Sequence, residues 1–383
     1  MPAFKSRIES ALAERKTQGL NRSMNVVFAG NQSVLEHEGR RYINFSSNDY
    51  LGLANDQALV RAWQQGLSVY GSGSGASPMV TGFSAAHSNL EAALTEWLGY
   101  ERAVLFGSGF SANQALLFTL LEKSDVLIQD RLNHASLMEA GALSPAKMKR
   151  FKHNDIEHLK SLINSEDNHL VVTEGVFSMD GDCAPLADIA DVTGNHDAWL
   201  AVDDAHGIGV LGESGGGSCE LAAVKPEILI VTFGKAFGMS GAAILCDHST
   251  GDFLTQFARH HVYSTAMPPA QAYALTHAVS MVQEQSWRRE KLSELSEVYR
   301  DSLSDLEGFV ETQTSIKPFV IGESELALQV ASVCRQNGIW VTAIRPPTVP
   351  KGTSRLRITL TANHTNEQVK TLSMALKQAL GTQ

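Results

Sequence analysis

Short apolar runs, separated by helical or polar stretches, constrain this chain more than any other feature. They fall at 103–106, 126–129, 169–173, 199–203, 228–232 and 242–246. Each is long enough for a strand, and most of the gaps between them can hold a crossover helix. The rhythm predicts right-handed crossovers and a parallel or mixed sheet with helices on both faces, an α/β fold. Ligands in such sheets bind beyond the carboxyl ends of the strands. His134, Ser178, Asp203, His206 and Lys235 all lie at or just after such ends.

The flanking segments read as follows. Phe4, Ile8 and Leu12 recur at helical spacing in a polar N-terminus, which predicts an amphipathic helix rather than a signal peptide. A strand is expected at 41–45, a loop at 46–50 and a glycine-rich loop at 71–75. A helix over 84–98 has Leu90, Leu94, Trp97 and Leu98 on its inner face and Gly99 at its left-handed stop. Pro268-Pro269 opens a helical stretch to about residue 295. A strand at 355–359 and a last helix follow. That helix is capped by Thr365 with Gln368 and buries Val369, Leu372 and Leu376.

At 383 residues the chain exceeds one compact core. The organisation expected is an N-terminal helix and strand segment over 1–45, a large domain over 46–275 and a smaller C-terminal α/β domain over 276–383. A net charge of −10 argues against nucleic acid as a partner. No apolar run suits a bilayer span, so no membrane association is expected. The four cysteines form no CxxC pair, which points to a reduced, cytoplasmic setting and no metal site.

Lys235 lies between Gly234 and Gly238 after an apolar run, and Asp203 ends another. Across a parallel sheet the two can meet. Such a pair suits pyridoxal 5'-phosphate, with Lys235 as the imine-forming amine and Asp203 as partner of the pyridine nitrogen. His206 lies within reach of the ring hydroxyl, as does Ser178, and His134 offers a flat ring for stacking. Ser108-Gly109-Phe110 follows a strand and opens a helix, a natural phosphate site, with the Thr232 hydroxyl beside it. Singly, each has an ordinary reading: a surface lysine, an aspartate cap, a strand-to-helix turn. Their order along the chain, each at an expected strand end, favours the joint one.

Two other motifs compete. Gly212-Glu213-Ser214-Gly215-Gly216 matches a nucleophile elbow, but the glycines after Ser214 start a helix poorly. The stretch 71–76 mimics a dinucleotide fingerprint, yet no strand leads into it. A scaffold that kept only the fold would be expected to lose Lys235 or Asp203.

The chain resembles the α-oxoamine synthases, fold-type I pyridoxal phosphate enzymes that join an amino acid to an acyl thioester with loss of carbon dioxide. The resemblance is carried by 44–52, 71–75, Ser108-Gly109-Phe110, 133–136, 174–181, 203–207 and 232–235. It implies a large domain built on a mainly parallel seven-stranded sheet. It also implies that Lys235 carries the cofactor, with Asp203 at the ring nitrogen, Ser178 and His206 at the ring hydroxyl, and His134 on the ring. Gly109, Phe110 and Thr232 would hold phosphate, Arg357 the amino-acid carboxylate, and Asn48 and Thr348 would line the substrate site. The arginine run that the family often has near its N-terminus is broken here, at Leu20-Asn21-Arg22-Ser23, and Arg22 is the residue expected to contact the acyl group. A homodimer is implied, with Tyr263, Ser264 and Thr265 of the partner subunit completing each site. Segments 151–155, 263–269 and 343–350 narrow the likeness to members that use L-alanine and a pimeloyl thioester, on CoA or a carrier protein, in biotin biosynthesis. Glycine C-acetyltransferase, which shares the chemistry, is the alternative.

Overall fold

A computed structural model describes residues 3–164 and 167–381. The N-terminal helix, Ala3–Thr17, carries the expected stripe, but Phe4, Ile8 and Leu12 are 69%, 56% and 64% exposed. Those three side chains are left exposed among the described residues. A hairpin follows, β1 (Val34–His37) against β2 (Arg40–Asn44).

The large sheet contains β3 (Arg102–Phe106), β4 (Val126–Asp130), β5 (Lys147–Phe151), β6 (His169–Glu174), β7 (Trp199–Asp203), β8 (Ile228–Thr232) and β9 (Ala242–Cys246). Its order is β3-β9-β8-β7-β6-β4-β5, and β9 alone runs antiparallel to its neighbours. Six of these strands match the apolar runs. The seventh, β5, has the sequence Lys147-Met148-Lys149-Arg150-Phe151. It is an edge strand, and charge on an edge blocks pairing with other chains, so hydrophobicity does not mark it.

Alternate residues of the central strands feed two cores. Val171, Val202, Leu229 and Val231 face one side with the helices Ala85–Leu98 and Pro269–Glu284. Leu170, Val172, Ala201, Ile228 and Ile230 face the other, against the helix Gly109–Leu120. Burial on both faces explains why these strands read as continuous apolar runs rather than alternating ones. The helix expected over 84–98 is capped by Ser84 and stopped by Gly99 at φ 73°. Leu90 and Leu94 are fully buried.

The helical stretch after Pro268 is two helices, Pro269–Glu284 and Trp287–Leu303, interrupted at Gln285 and Ser286. Just past the break Arg288 is buried. It donates to the Leu51 carbonyl at 2.7 Å, to Asp56 at 2.6 Å and to Gln285 Oε1 at 2.8 Å. The boundary expected between 275 and 276 falls inside the first of these helices, whose Ala274, Leu275 and Ala278 belong to the large core. The C-terminal part adds β10 (Ile316–Gly322), β11 (Ile339–Trp340), β12 (Thr342–Ile344) and β13 (Ser354–Thr359), in a β10-β13-β12 antiparallel sheet. Strand β11 pairs instead with β2, which joins the N-terminal hairpin to the C-terminal unit. The final helix, Asn366–Leu380, has the Thr365–Gln368 capping box.

The turn after β8 is tightly fixed. Gly238 sits at φ +64°, and a Cβ there would lie 2.2 Å from the Ala54 amide nitrogen. Its own N–H bonds the Lys235 carbonyl at 2.8 Å. Gly238→Ala is therefore expected to lower stability by about 2 kcal/mol or more, read by urea denaturation. An unchanged midpoint would mean that the turn relaxes freely.

Candidate active site

The carboxyl ends of β4, β6, β7 and β8 lie together, and a cavity of about 290 Å³ opens there. Asn48, Ser108, Gly109, Phe110, His134, Asp203, His206, Thr232 and Lys235 line it. The structure thus gathers most of the sequence-predicted residues around one space. Arg357 reaches it through Asn48, donating from Nη1 to Asn48 Oδ1 at 3.0 Å. Ser178 is represented by its main chain, whose carbonyl accepts from Arg357 Nε at 2.6 Å. Arg22 and Thr348 line a separate cleft of about 450 Å³, where Arg22 Nη2 donates to Thr348 Oγ1 at 3.3 Å. Ser264 and Thr265 line a pocket that shares Gly107 with the main cavity, while Tyr263 is exposed.

Lys235 follows β8 through a turn, which aims it back across the strand ends. Burial pushes its ammonium below the ordinary lysine range, with Asp203 and Glu174 acting in the opposite direction. Asp203 is buried and fully engaged. Its Oδ2 accepts from Asn113 Nδ2 at 2.7 Å and its Oδ1 from the Ala205 amide at 3.1 Å. Asn113 also donates to Ser136 Oγ at 2.9 Å, so one amide group fixes both the anion and the start of the next helix.

His134 caps the helix Ala135–Leu143, with Nδ1 accepting from the Ser136 amide at 3.3 Å. Burial, set against the Asp203 charge, lowers its pKa. His206 is pushed well below its usual range, first by burial and then by the charges of Lys235 and Arg357. Its Nδ1 lies 2.7 Å from Tyr50 Oη, which leaves Nε2 for a ligand. Glu174 also lines the cavity. Burial, with Asp203 alongside, raises its pKa well above the carboxylate range.

The opposite end of the cavity suits an anion. Ser108 caps the helix Gly109–Leu120 by accepting from the Ser111 amide at 3.1 Å, leaving the Gly109 and Phe110 amides at the helix mouth. A Cβ on Gly109 would lie 2.6 Å from Thr232 Cγ2, so only glycine permits this approach. Thr232 Oγ1 is buried and has no hydrogen-bond partner. An orphaned hydroxyl beside free helix amides fits the phosphate of pyridoxal phosphate.

Sequence reasoning gave no role to Tyr50, Asn113, Ser136 or Glu174. Asn113 had a usable signal, since it lies one helical turn beyond Gly109 and shares its face. Ser214 belongs to no catalytic group: its Oγ accepts from Trp97 Nε1 at 3.1 Å. The stretch 71–76 follows the helix Gln57–Tyr70, not a strand.

An "Aminotransferase class I and II" family model matches residues 40–376. The chain is 92% identical over 381 residues to an 8-amino-7-oxononanoate synthase of Vibrio campbellii, covering 100% of both sequences. Among solved structures it is similar to a serine palmitoyltransferase from S. paucimobilis with bound PLP–myriocin aldimine. That match has a TM-score of 0.90 and 26% identity, over 97% of this chain and 96% of that one. It is also similar to an 8-amino-7-oxononanoate synthase from Francisella tularensis, with a TM-score of 0.78 and 29% identity, over 89% and 98%.

Thr232→Val removes a hydroxyl that is unpaired in the protein alone. The cofactor-free variant is expected to be as stable as the parent, or more stable by up to about 1 kcal/mol, because no bond is lost. Its affinity for pyridoxal phosphate should fall about tenfold. Thermal melts and fluorescence titration check the two halves. Unaltered cofactor affinity would remove Thr232 from the site.

Proposed function

This chain belongs to the aminotransferase class I and II family and, within it, to the 8-amino-7-oxononanoate synthases, and on that premise we propose which of its residues perform the reaction. The enzyme is an acyltransferase that uses pyridoxal 5'-phosphate. It condenses L-alanine with a pimeloyl thioester, on CoA or a carrier protein, and releases carbon dioxide and the thiol. The product is 8-amino-7-oxononanoate, for biotin biosynthesis. The observation that best supports the assignment of roles is the desolvated amine of Lys235 beside buried Asp203, in a cavity with a glycine-lined anion seat.

When bound, the cofactor supplies an aldehyde that condenses with amines and a ring that draws negative charge from the amino acid's α-carbon. Lys235 Nζ would hold it in the resting enzyme. Asp203 would keep the ring nitrogen protonated. Ser108, the Gly109 and Phe110 amides and the Thr232 hydroxyl would seat the phosphate. His134 would cover the ring face, and Ser178 and His206 would meet the ring hydroxyl.

Lys235 Nζ, when free, would take the α-proton of bound L-alanine. That step needs a neutral amine, which burial favours. Arg357 grips the alanine carboxylate with its planar fork, alongside Asn48. Arg22 and Thr348 line the acyl cleft, where Arg345 adds a second guanidinium for an acidic acyl chain. Preference for alanine over glycine rests on room for one methyl group, worth about 1–3 kcal/mol.

We also infer a cytoplasmic homodimer. The cysteines are all free thiols, as suits a reducing compartment. No helix among the described residues is long and apolar enough to cross a membrane. Met79, Val80, Phe83 and Tyr263 form exposed apolar surface near Ser264 and Thr265, and Tyr263 is 80% exposed. A second copy would cover this surface and bring Tyr263, Ser264 and Thr265 of the partner subunit to the cavity.

Lys235→Ala should abolish both the visible absorbance of the purified enzyme and release of thiol from pimeloyl-CoA with L-alanine. Retention of either would move the cofactor attachment elsewhere. Sedimentation should give twice the 41.4 kDa chain mass, and a monomer with full activity would remove the shared site.

A further inference from the structure

His153 lies just past the edge strand β5, outside the cavity, and the reaction as described does not use it. Its ring is held at both ends by carboxylates. Nδ1 lies 3.1 and 3.2 Å from the two oxygens of Asp130, and Nε2 lies 2.7 Å from Asp182 Oδ2. Carboxylates only accept, so both ring nitrogens carry hydrogen and the ring is an imidazolium. Burial opposes that charge, but the bonds to Asp130 and Asp182 outweigh it and push the pKa up to about 10. Phe177 packs edge-on against the ring, with centroids 4.4 Å apart.

The two carboxylates belong to different walls of the site. Asp130 ends β4 and is completely buried. Its Oδ1 takes the Leu132 amide at 2.8 Å and its carbonyl takes the Asn133 amide at 3.2 Å, so it shapes the turn that leads into His134. Asp182 belongs to the loop after β6, closed by a Val176–Cys183 bridge and by Phe177 N–H on the Asp182 carbonyl at 3.0 Å. That loop offers the Ser178 carbonyl to Arg357 and the Asp180 carboxylate to Arg355. Asn154, at φ +53°, doubles the link: its amide donates to Asp130 Oδ2 at 2.9 Å and its side chain to Asp182 Oδ2 at 3.0 Å.

We propose that His153 is a positioning residue, a role that rests on the function proposed above: bridging Asp130 and Asp182, it locks the loop that seats Arg357 to the turn that presents His134. The seat of the amino-acid carboxylate then depends on a cation that never touches the substrate.

His153→Gln and Asp182→Asn holoenzymes test this. Each is expected to raise KM for L-alanine about tenfold while kcat stays within about threefold. Without substrate, amide exchange should quicken in 130–134 and 175–184, with β8 and β9 unchanged. Asp182→Glu, which restores a carboxylate, should bring KM back to within about threefold of the parent. Parental KM and loop exchange in both variants would overturn the proposal. So would a lower melting temperature with KM unmoved, which marks a purely structural bridge. Asp182 is partly exposed, so its variant decides the matter if His153→Gln does not fold. Should the parent enzyme fail to turn over L-alanine with pimeloyl-CoA, the proposed function fails, and loop exchange alone then decides for or against the bridge.

Discussion

Removing one amine from water governs this site. In the role proposed for it, Lys235 would have to be neutral while sitting beside the carboxylate of Asp203. In solvent a lysine next to an aspartate would stay charged. Here burial is the largest influence on Lys235, and it outweighs the neighbouring carboxylates. The parallel sheet makes this geometry available. Glu174 and Asp203 are register partners at the ends of adjacent strands, and Thr232 ends the next strand across. Strand ends present side chains and backbone groups to one crevice without breaking the ladder behind them.

Charge is then distributed unequally among the carboxyl groups. Asp203 has charge-stabilising donors on both oxygens, from Asn113 and Ala205. Burial raises Glu174 instead, and its Oε1 has no partner. Asp204, also raised by burial, to about 7, faces away onto Ser218, whose hydroxyl and amide it accepts at 2.6 and 2.8 Å. Asp203 and Asp204 each have two donors, but of the two only Asp203 lines the cavity.

The central strands were legible because burial on both faces leaves an unbroken apolar signature. The residues that gather at the cavity were legible because they lie at or just after strand ends. The edge strand β5 was not, since three cations occupy the positions that apolar residues would fill in an inner strand. Nor was the break at Gln285 and Ser286, where no proline or glycine marks the stop. The burial of Arg288 just beyond it is a tertiary interaction that no local pattern encodes. Tyr50, Asn113 and Ser136 escaped for a related reason. They act by orienting another residue, and a hydrogen-bonded supporter has no periodicity of its own. Arg22 and Thr348 were expected with the other substrate residues but line a cleft of their own, so the two cavities are built from different walls.

Those walls come from distant parts of the chain. Arg357 on β13 is held by the Ser178 carbonyl from the loop after β6 and by Asn48 from the segment after β2. Gly181 has φ +68°, and a Cβ there would lie 2.5 Å from the Ile316 carbonyl of β10. Thr314 donates to the Gly181 carbonyl at 2.8 Å. The loop below the carboxylate seat is thus wedged between the large sheet and the small one. On the roles proposed above, cofactor binding would draw on the large sheet, through Asp203, Thr232 and the helix after β3, and amino-acid binding would need the small sheet docked as well. A chain that had folded only its large sheet would then have a cofactor seat and no carboxylate grip. Docking of the C-terminal strands would therefore be the step that turns a cofactor-binding fold into one that can also hold an amino acid.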